Sequence, residues 1–221
     1  MTKLKTRLAL ASVSALADPE RYAQALARVS PQRREQIASF RVEGAKRLSL
    51  GAALLLDRLL ADAGLGPAGG FAFGEQGKPY LPDRPGVHFS LSHSGEHVLC
   101  ALADAEIGCD VESLRKVDLA LAPRFFHPEE AAWLLSLLQR EQKAAFLRLW
   151  TLKESYIKAL GLGLTLPLNE FRILPVPGGW ALTHAEDPRP WRLRAFEAAD
   201  CFCAVCAEEP PETLERLTLF E

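Results

Sequence analysis

No stretch of this sequence approaches the ~18 consecutive apolar residues of a membrane-spanning helix, so a helical membrane protein is not expected. An excess of either charge is missing too. The 26 Lys and Arg stand against 28 Asp and Glu, a formal net charge of −2, which removes the global basic footprint of a nucleic-acid binder. Any anion must then be held by a local cluster. Paired zinc knuckles are also lacking: five cysteines lie at 100, 109, 201, 203 and 206, but no histidine stands at a suitable offset from CFCAVC. That run reads instead as a buried strand, with Cys201, Cys203 and Val205 on one face and Phe202, Ala204 and Cys206 on the other. Its thiols act as small hydrophobes in a reducing cytosol. The opening MTKLKTRLALASVSALA has the basic start and apolar stretch of a signal peptide, but Arg7 and two serines interrupt it. A cytoplasmic protein is expected.

What the sequence does have is 221 residues, 48% of them hydrophobic, enough to bury a core as one large domain or two small ones. Residues 5–13 alternate as a first strand. A helix follows Asp18-Pro19, and Ser30-Pro31 starts another, Ser capping the free amides and Pro tolerated at the first position. From there one helix, or two broken near Gly44, runs to Gly64 with an apolar stripe of Leu48, Ala52, Leu55, Leu56 and Leu59. Its other face carries Arg33, Arg34, Arg41, Lys46 and Arg47, which suit solvent or a polyanion. Strands at 87–92, 97–103 and 107–112, joined by short links, predict a three-stranded antiparallel meander. Helices at 118–126, 127–138 and 141–160 come next, the last stopped by Gly161. Short strands recur at 171–174, 180–184, 191–197 and 201–207, and an amphipathic piece ends at Phe220. The order of strand, helices and small sheet occurs twice, which predicts an α+β fold of two similar halves, 1–106 and 107–221.

Chemistry concentrates in four stretches. In the strand Ile107 to Glu112, IGCDVE, Asp110 and Glu112 project from one face while Ile107, Cys109 and Val111 share the other. Two like charges so placed either lie in solvent or surround a hard cation, and carboxylate oxygens suit Mg²⁺. In WTLKESYIK, Glu154 and Lys158 are neighbours one turn apart. They are either an ordinary surface pair or a third carboxylate with an ammonium beside it for a phosphate. SLSHSG, Ser90 to Gly95, offers Ser92 and His93 as phosphate donors; adjacent strand residues point apart, so a serine nucleophile with His93 as base is not expected. Gly77-Lys78-Pro79 is a turn in which Lys78 can pair with an anion.

Together these stretches resemble the 4′-phosphopantetheinyl transferase superfamily, in particular its large Sfp-type members. The likeness runs from SPQRREQIASF through GKPYLP, VHFSLSHSG, IGCDVE, RFFHPEE and WTLKESYIKALGLGLTLPL to CAVCA. Cys109 departs from the branched apolar residue usual at its place. The resemblance implies two α+β halves related by a pseudo-twofold, each with a small, mainly antiparallel sheet packed by helices, and coenzyme A and Mg²⁺ between them. It implies transfer of phosphopantetheine from coenzyme A to a serine of an apo acyl or peptidyl carrier protein, leaving 3′,5′-ADP. Asp110, Glu112 and Glu154 would hold the metal, with Glu154 favoured as base and Lys158 on the pyrophosphate. Arg33, Arg47, Lys78, Pro79, Ser92 and His93 would hold coenzyme A. Gln36 stands where some members carry a further basic residue, and Arg34 or Lys46 is placed to compensate. Arg115, Lys116, Arg124, Phe125 and Phe126 form the expected docking surface for the acidic helix of a carrier. A monomer is expected, since two halves in one chain complete a site.

Two competing readings use the same residues. A Mg²⁺-dependent nuclease or phosphodiesterase could employ the carboxylates, although the slightly acidic chain disfavours nucleic acid. A non-catalytic module binding coenzyme A or a carrier is the other, and retention of all three carboxylates and Lys158 argues against it.

Overall fold

Alternating side chains and well-placed stops give the elements their limits. The structure is a computed structural model that describes residues 4–198 and 200–220. The first half comprises β1 (Arg7–Ser12), α1 (Pro19–Arg28), α2 (Pro31–Ala38), α3 (Glu43–Asp62), β2 (Ala72–Phe73), β3 (Pro79–Tyr80), β4 (His88–Ser94) and β5 (His97–Ala103). The second comprises β6 (Ile107–Ser113), α4 (Ala122–Phe125), α5 (Pro128–Ser136), α6 (Gln139–Leu160), β7 (Arg172–Val176), β8 (Gly179–Thr183), β9 (Arg192–Glu197) and β10 (Cys201–Ala207). A last short strand, β11 (Glu215–Arg216), follows. Asp18 and Ser30 cap α1 and α2 by accepting from Arg21 N and Arg33 N, as their sequences suggest. The second helical stretch is broken, but before Gly44 rather than at it: extended Val42 starts α3, and Gly44 sits in its first turn.

Both halves have the same topology. The first strand of each pairs antiparallel with the last, and the penultimate strand lies outside, giving the orders β1-β5-β4 and β6-β10-β9. A long helix, α3 of 20 residues or α6 of 22, follows the first strand, and a two-stranded hairpin, β2-β3 or β7-β8, follows the helix. The chain end departs from this duplication. β11 returns to pair parallel with β1, and Leu217 and Leu219 pack into the first half, so the last residues of 107–221 complete the other half's core.

The expected meander is correct only for its first two strands. β4 and β5 form a hairpin, whereas β6 leaves it to become the edge of the second sheet against β10. The reason lies in SLSHS, where Ser90, Ser92 and Ser94 share one face of β4. Their hydroxyls accept the amides of Cys109 at 3.0 Å, Val111 at 3.4 Å and Ser113 at 3.1 Å. Those are the alternate amides of β6 that point away from β10. Side chains therefore replace the backbone ladder between two strands that run in the same direction.

Apolar burial falls into three clusters. One packs α3 on the first sheet and includes Leu55, Leu56, Leu59 and Phe89; another packs α6 on the second and includes Phe146, Leu149, Tyr156 and Ile157. The third lies between the halves, where Leu8, Leu99, Ile107, Cys109, Val111, Cys201, Cys203 and Val205 meet. The cysteine-rich strand is thus the buried two-faced strand its sequence suggests, and all five thiols are free and buried. Among the described residues no helix is long and apolar enough to cross a membrane.

Candidate active site

α6 crosses the second sheet close to β6, and one residue makes this possible. A Cβ at Gly108 would lie 2.0 Å from Ser155 O and 2.2 Å from Ala159 N, so only glycine lets the helix backbone rest on the strand. Thr151, Ser155 and Ala159, spaced four apart on α6, are small and at most 1% exposed. This contact sets Glu154 and Lys158 beside Asp110 and Glu112. A cleft of about 280 Å³ opens there, lined by Ser92, His93, Asp110, Glu112, Trp150, Glu154 and Lys158.

Within it, Asp110 Oδ1 accepts from Ser92 Oγ at 2.7 Å and from Lys158 Nζ at 2.7 Å. Its other oxygen, Oδ2, is buried without a hydrogen-bond partner among the described residues. An ionised oxygen so placed is costly unless a cation completes it. Ser94 Oγ donates to Glu112 Oε2 at 3.0 Å, and Arg115 lies 3.3 Å from the same carboxylate. Glu154 accepts no hydrogen bond from any described residue. Burial raises the carboxyl pKa of both Asp110 and Glu154; neighbouring carboxylates add to this and Lys158 opposes it. Burial lowers the Lys158 ammonium, but Asp110 foremost outweighs it and leaves the net shift upward. Three all-oxygen side chains around an unpartnered buried oxygen fit a hard divalent cation such as Mg²⁺.

A sequence profile described as the 4′-phosphopantetheinyl transferase superfamily matches residues 106–206. A 4′-phosphopantetheinyl transferase of Bacillus subtilis is 36% identical over 189 residues, covering 84% of each chain. The chain belongs to the 4′-phosphopantetheinyl transferase superfamily. The transferase Sfp of Bacillus subtilis (strain 168) is 35% identical over 87% of this chain and 89% of its own. Among solved structures, a Thermotoga maritima holo-[acyl-carrier-protein] synthase aligns with 46% of this chain and 61% of its own, at a TM-score of 0.41 and 21% identity.

In this transferase Asp110, Glu112, Glu154 and Lys158 converge as the sequence suggests. Ser92 does so in a different capacity. Its one proton goes to Asp110 while its oxygen accepts from Val111 N and from Lys158 Nζ at 2.9 Å, so it braces the carboxylate rather than presenting a donor to phosphate. His93 is exposed at the cleft, its pKa lowered first by desolvation and then by Lys158. Lys78 and Pro79 line an adjoining cavity of about 200 Å³ that shares Leu91 and Lys158 with the cleft. Lys78 is not free there: it pairs with Glu106 and donates to Ala159 O at 2.9 Å. His88 and then Lys78 pull the Glu106 carboxyl down to about 2.

Arg33 lies apart, in a cavity of about 200 Å³ with Gln36, Asp57 and Phe71. Its guanidinium donates to Gln36 Oε1 at 2.6 Å and Ser49 O at 3.0 Å, and Nε is buried without a partner among the described residues. Arg47, on α3, is half-buried. Compensation for Gln36 finds no support, because Arg34 is bonded to the carbonyls of Val29 and Ala27 and Lys46 to Glu43.

The docking surface also needs one correction. Phe126, which caps the end of α4, is 1% exposed and packs tilted against Phe146 in the second core. Phe125 is 40% exposed, edge-on to Trp150, with Arg124 over its ring. Arg115 and Lys116 are exposed as well.

Several positioning residues were not singled out from the sequence. Ser94 braces Glu112, a role signalled only by the S-x-S-x-S period. Lys153 and Glu130 form an ion pair of 2.5 Å with neither side chain exposed. Lys153 also donates to Phe171 O, and Glu130 accepts from Ile173 N and His127 N, tying α6, α5 and β7 together beneath Glu154. Charged residues in an exposed-looking helix start gave no sign of such burial.

Proposed function

We propose that the protein transfers the 4′-phosphopantetheine group of coenzyme A to a serine hydroxyl of an apo acyl or peptidyl carrier protein, releasing 3′,5′-ADP. The observation that carries this reading is the unpartnered buried Oδ2 of Asp110, facing a cleft that also holds Glu112, Glu154 and Lys158. One Mg²⁺ held by those three carboxylates would supply Lewis-acid neutralisation of charge on the pyrophosphate.

The chain's own side chains account for the rest. The attacking serine oxygen bonds to the β-phosphorus of coenzyme A as the bond to the ADP oxygen breaks. Glu154, its basicity raised by burial, takes the hydroxyl proton. Lys158 holds an ammonium over the departing phosphate. Lys78, with Pro79 beside it, reaches the same nucleotide by exchanging Glu106 for a phosphate, His93 extends the positive lining, and Arg33 of α2 and Arg47 of α3 meet coenzyme A farther out. Phe125, Arg124, Arg115 and Lys116 receive the acidic helix of the carrier, with the aromatic ring as anchor. We further infer a monomeric cytoplasmic enzyme whose two halves divide near residue 106.

The test is incubation with coenzyme A, Mg²⁺ and a panel of apo carriers, scored by mass. A gain of one phosphopantetheine on a carrier serine is expected. Glu154→Gln should abolish transfer while coenzyme A still binds; near wild-type turnover would remove Glu154 as base. Intact coenzyme A binding with no gain on any carrier would instead support the non-catalytic module.

A further inference from the structure

Away from the cleft, three side chains of different ligand type meet where the halves join. β5 and β10 occupy equivalent positions in the two sheets, and both begin here: His97 is the first residue of β5 and Cys201 the first of β10, with Asp200 just before it. One imidazole nitrogen, one carboxylate oxygen and one thiol sulfur from these residues all lie within 4.8 Å of one another. His97 Nε2 stands 2.9 Å from Asp200 Oδ2. Cys201 is fully buried, the His97 side chain is 15% exposed, and the Asp200 side chain is 66% exposed. The set is thus closed on the protein side and open toward solvent through the one ligand free to rotate. Its backbone is fixed, because Asp200 O accepts from Leu114 N at 2.8 Å.

We propose that His97, Asp200 and Cys201 form a binding site for a divalent transition ion of the zinc class, with its fourth position open to water. Donor chemistry separates this site from the first. Imidazole and thiolate favour a borderline-soft ion, whereas the cleft offers only oxygen. Ligands arranged tetrahedrally at zinc distances stand roughly 3.3–3.8 Å apart, given bonds of about 2.0–2.3 Å. Atoms already within 4.8 Å reach that arrangement by small rotations, mostly of Asp200. Such an ion would join the first sheet to the second at the end of their shared core, so its binding would stabilise the joined halves. Sequence spacing gave no hint, because His97 comes from the opposite half. A plain His–Asp ion pair beside a buried thiol makes a different prediction: no sulfur ligation.

Cobalt distinguishes the two, since a thiolate ligand gives Co²⁺ a near-ultraviolet charge-transfer band that oxygen ligands do not. The reduced, chelator-stripped full chain is titrated with Co²⁺ under excess Mg²⁺, which occupies the oxygen cleft. One equivalent with that band is expected, and stoichiometric Zn²⁺ should bleach it. Cys201→Ser should abolish the band. His97→Ala and Asp200→Asn, which leave the cores untouched, should each weaken Co²⁺ binding on the order of tenfold or more. Absence of the band in the wild-type chain overturns the site, as does a band whose affinity both His97→Ala and Asp200→Asn leave unchanged.

Discussion

Asp110 places its two oxygens in different surroundings, and the difference explains much of the site. Oδ1 is held by Ser92 and Lys158, which fixes the carboxylate without filling it, while Oδ2 stays bare. The pairing of Asp110 with Glu112 was readable because a strand has period two, and that of Glu154 with Lys158 because a helix repeats every 3.6 residues. The environment of each residue was not readable. Ser92 looked like a phosphate donor, and its proton turned out to be committed by a strand crossing between sheets. Lys153 makes the same point in the opposite direction. Burial pulls its ammonium down to about 8, with Glu130 opposing. Lys153→Met should cost about 3–5 kcal/mol, because it leaves Glu130 buried without its counter-charge. The shift in urea midpoint measures this.

At the scale of elements, the strands, helices and stops follow from local pattern. Gly161 ends α6 with a φ of 73° that a glycine adopts without strain. Register and partner strands depend on distant chain, so the expected meander failed where β6 changed sheets. The contact of α6 on β6 is the element on which the chemistry depends. Gly108→Ala would press a methyl group into the Ser155 carbonyl. The helix must move away, taking Glu154 and Lys158 with it, so the variant should lose both stability and nearly all transfer activity while Ser90→Ala, one strand away, retains measurable turnover. Parallel melts and carrier-mass assays check both.

For the whole molecule, the repeated order of strand, helices and small sheet made the duplicated α+β architecture legible. It did not reveal that the chain end crosses back, since β11 is only two residues long. The buried carboxyls give the whole fold a pH dependence. Asp110 and Glu154 have folded pKa values above their ordinary values of about 3.9 and 4.3. Metal-free, their contribution is therefore fully present below the ordinary values and is lost as pH rises through the raised ones. A cation binds the deprotonated forms, so the rise in melting temperature on adding Mg²⁺ should grow with pH across that window. A rise that does not change with pH would contradict the ligand set.

The serine ladder between β4 and β6 has one more consequence. Each of these strands is the outermost of its sheet, and apolar edge strands are the usual templates for chain-to-chain association. Hydroxyls that take up the outward amides of Cys109, Val111 and Ser113 leave β6 no row of free donors with which to recruit another molecule. The serines that steady the two carboxylates also take up the donors through which the strand that carries them would otherwise pair with another chain.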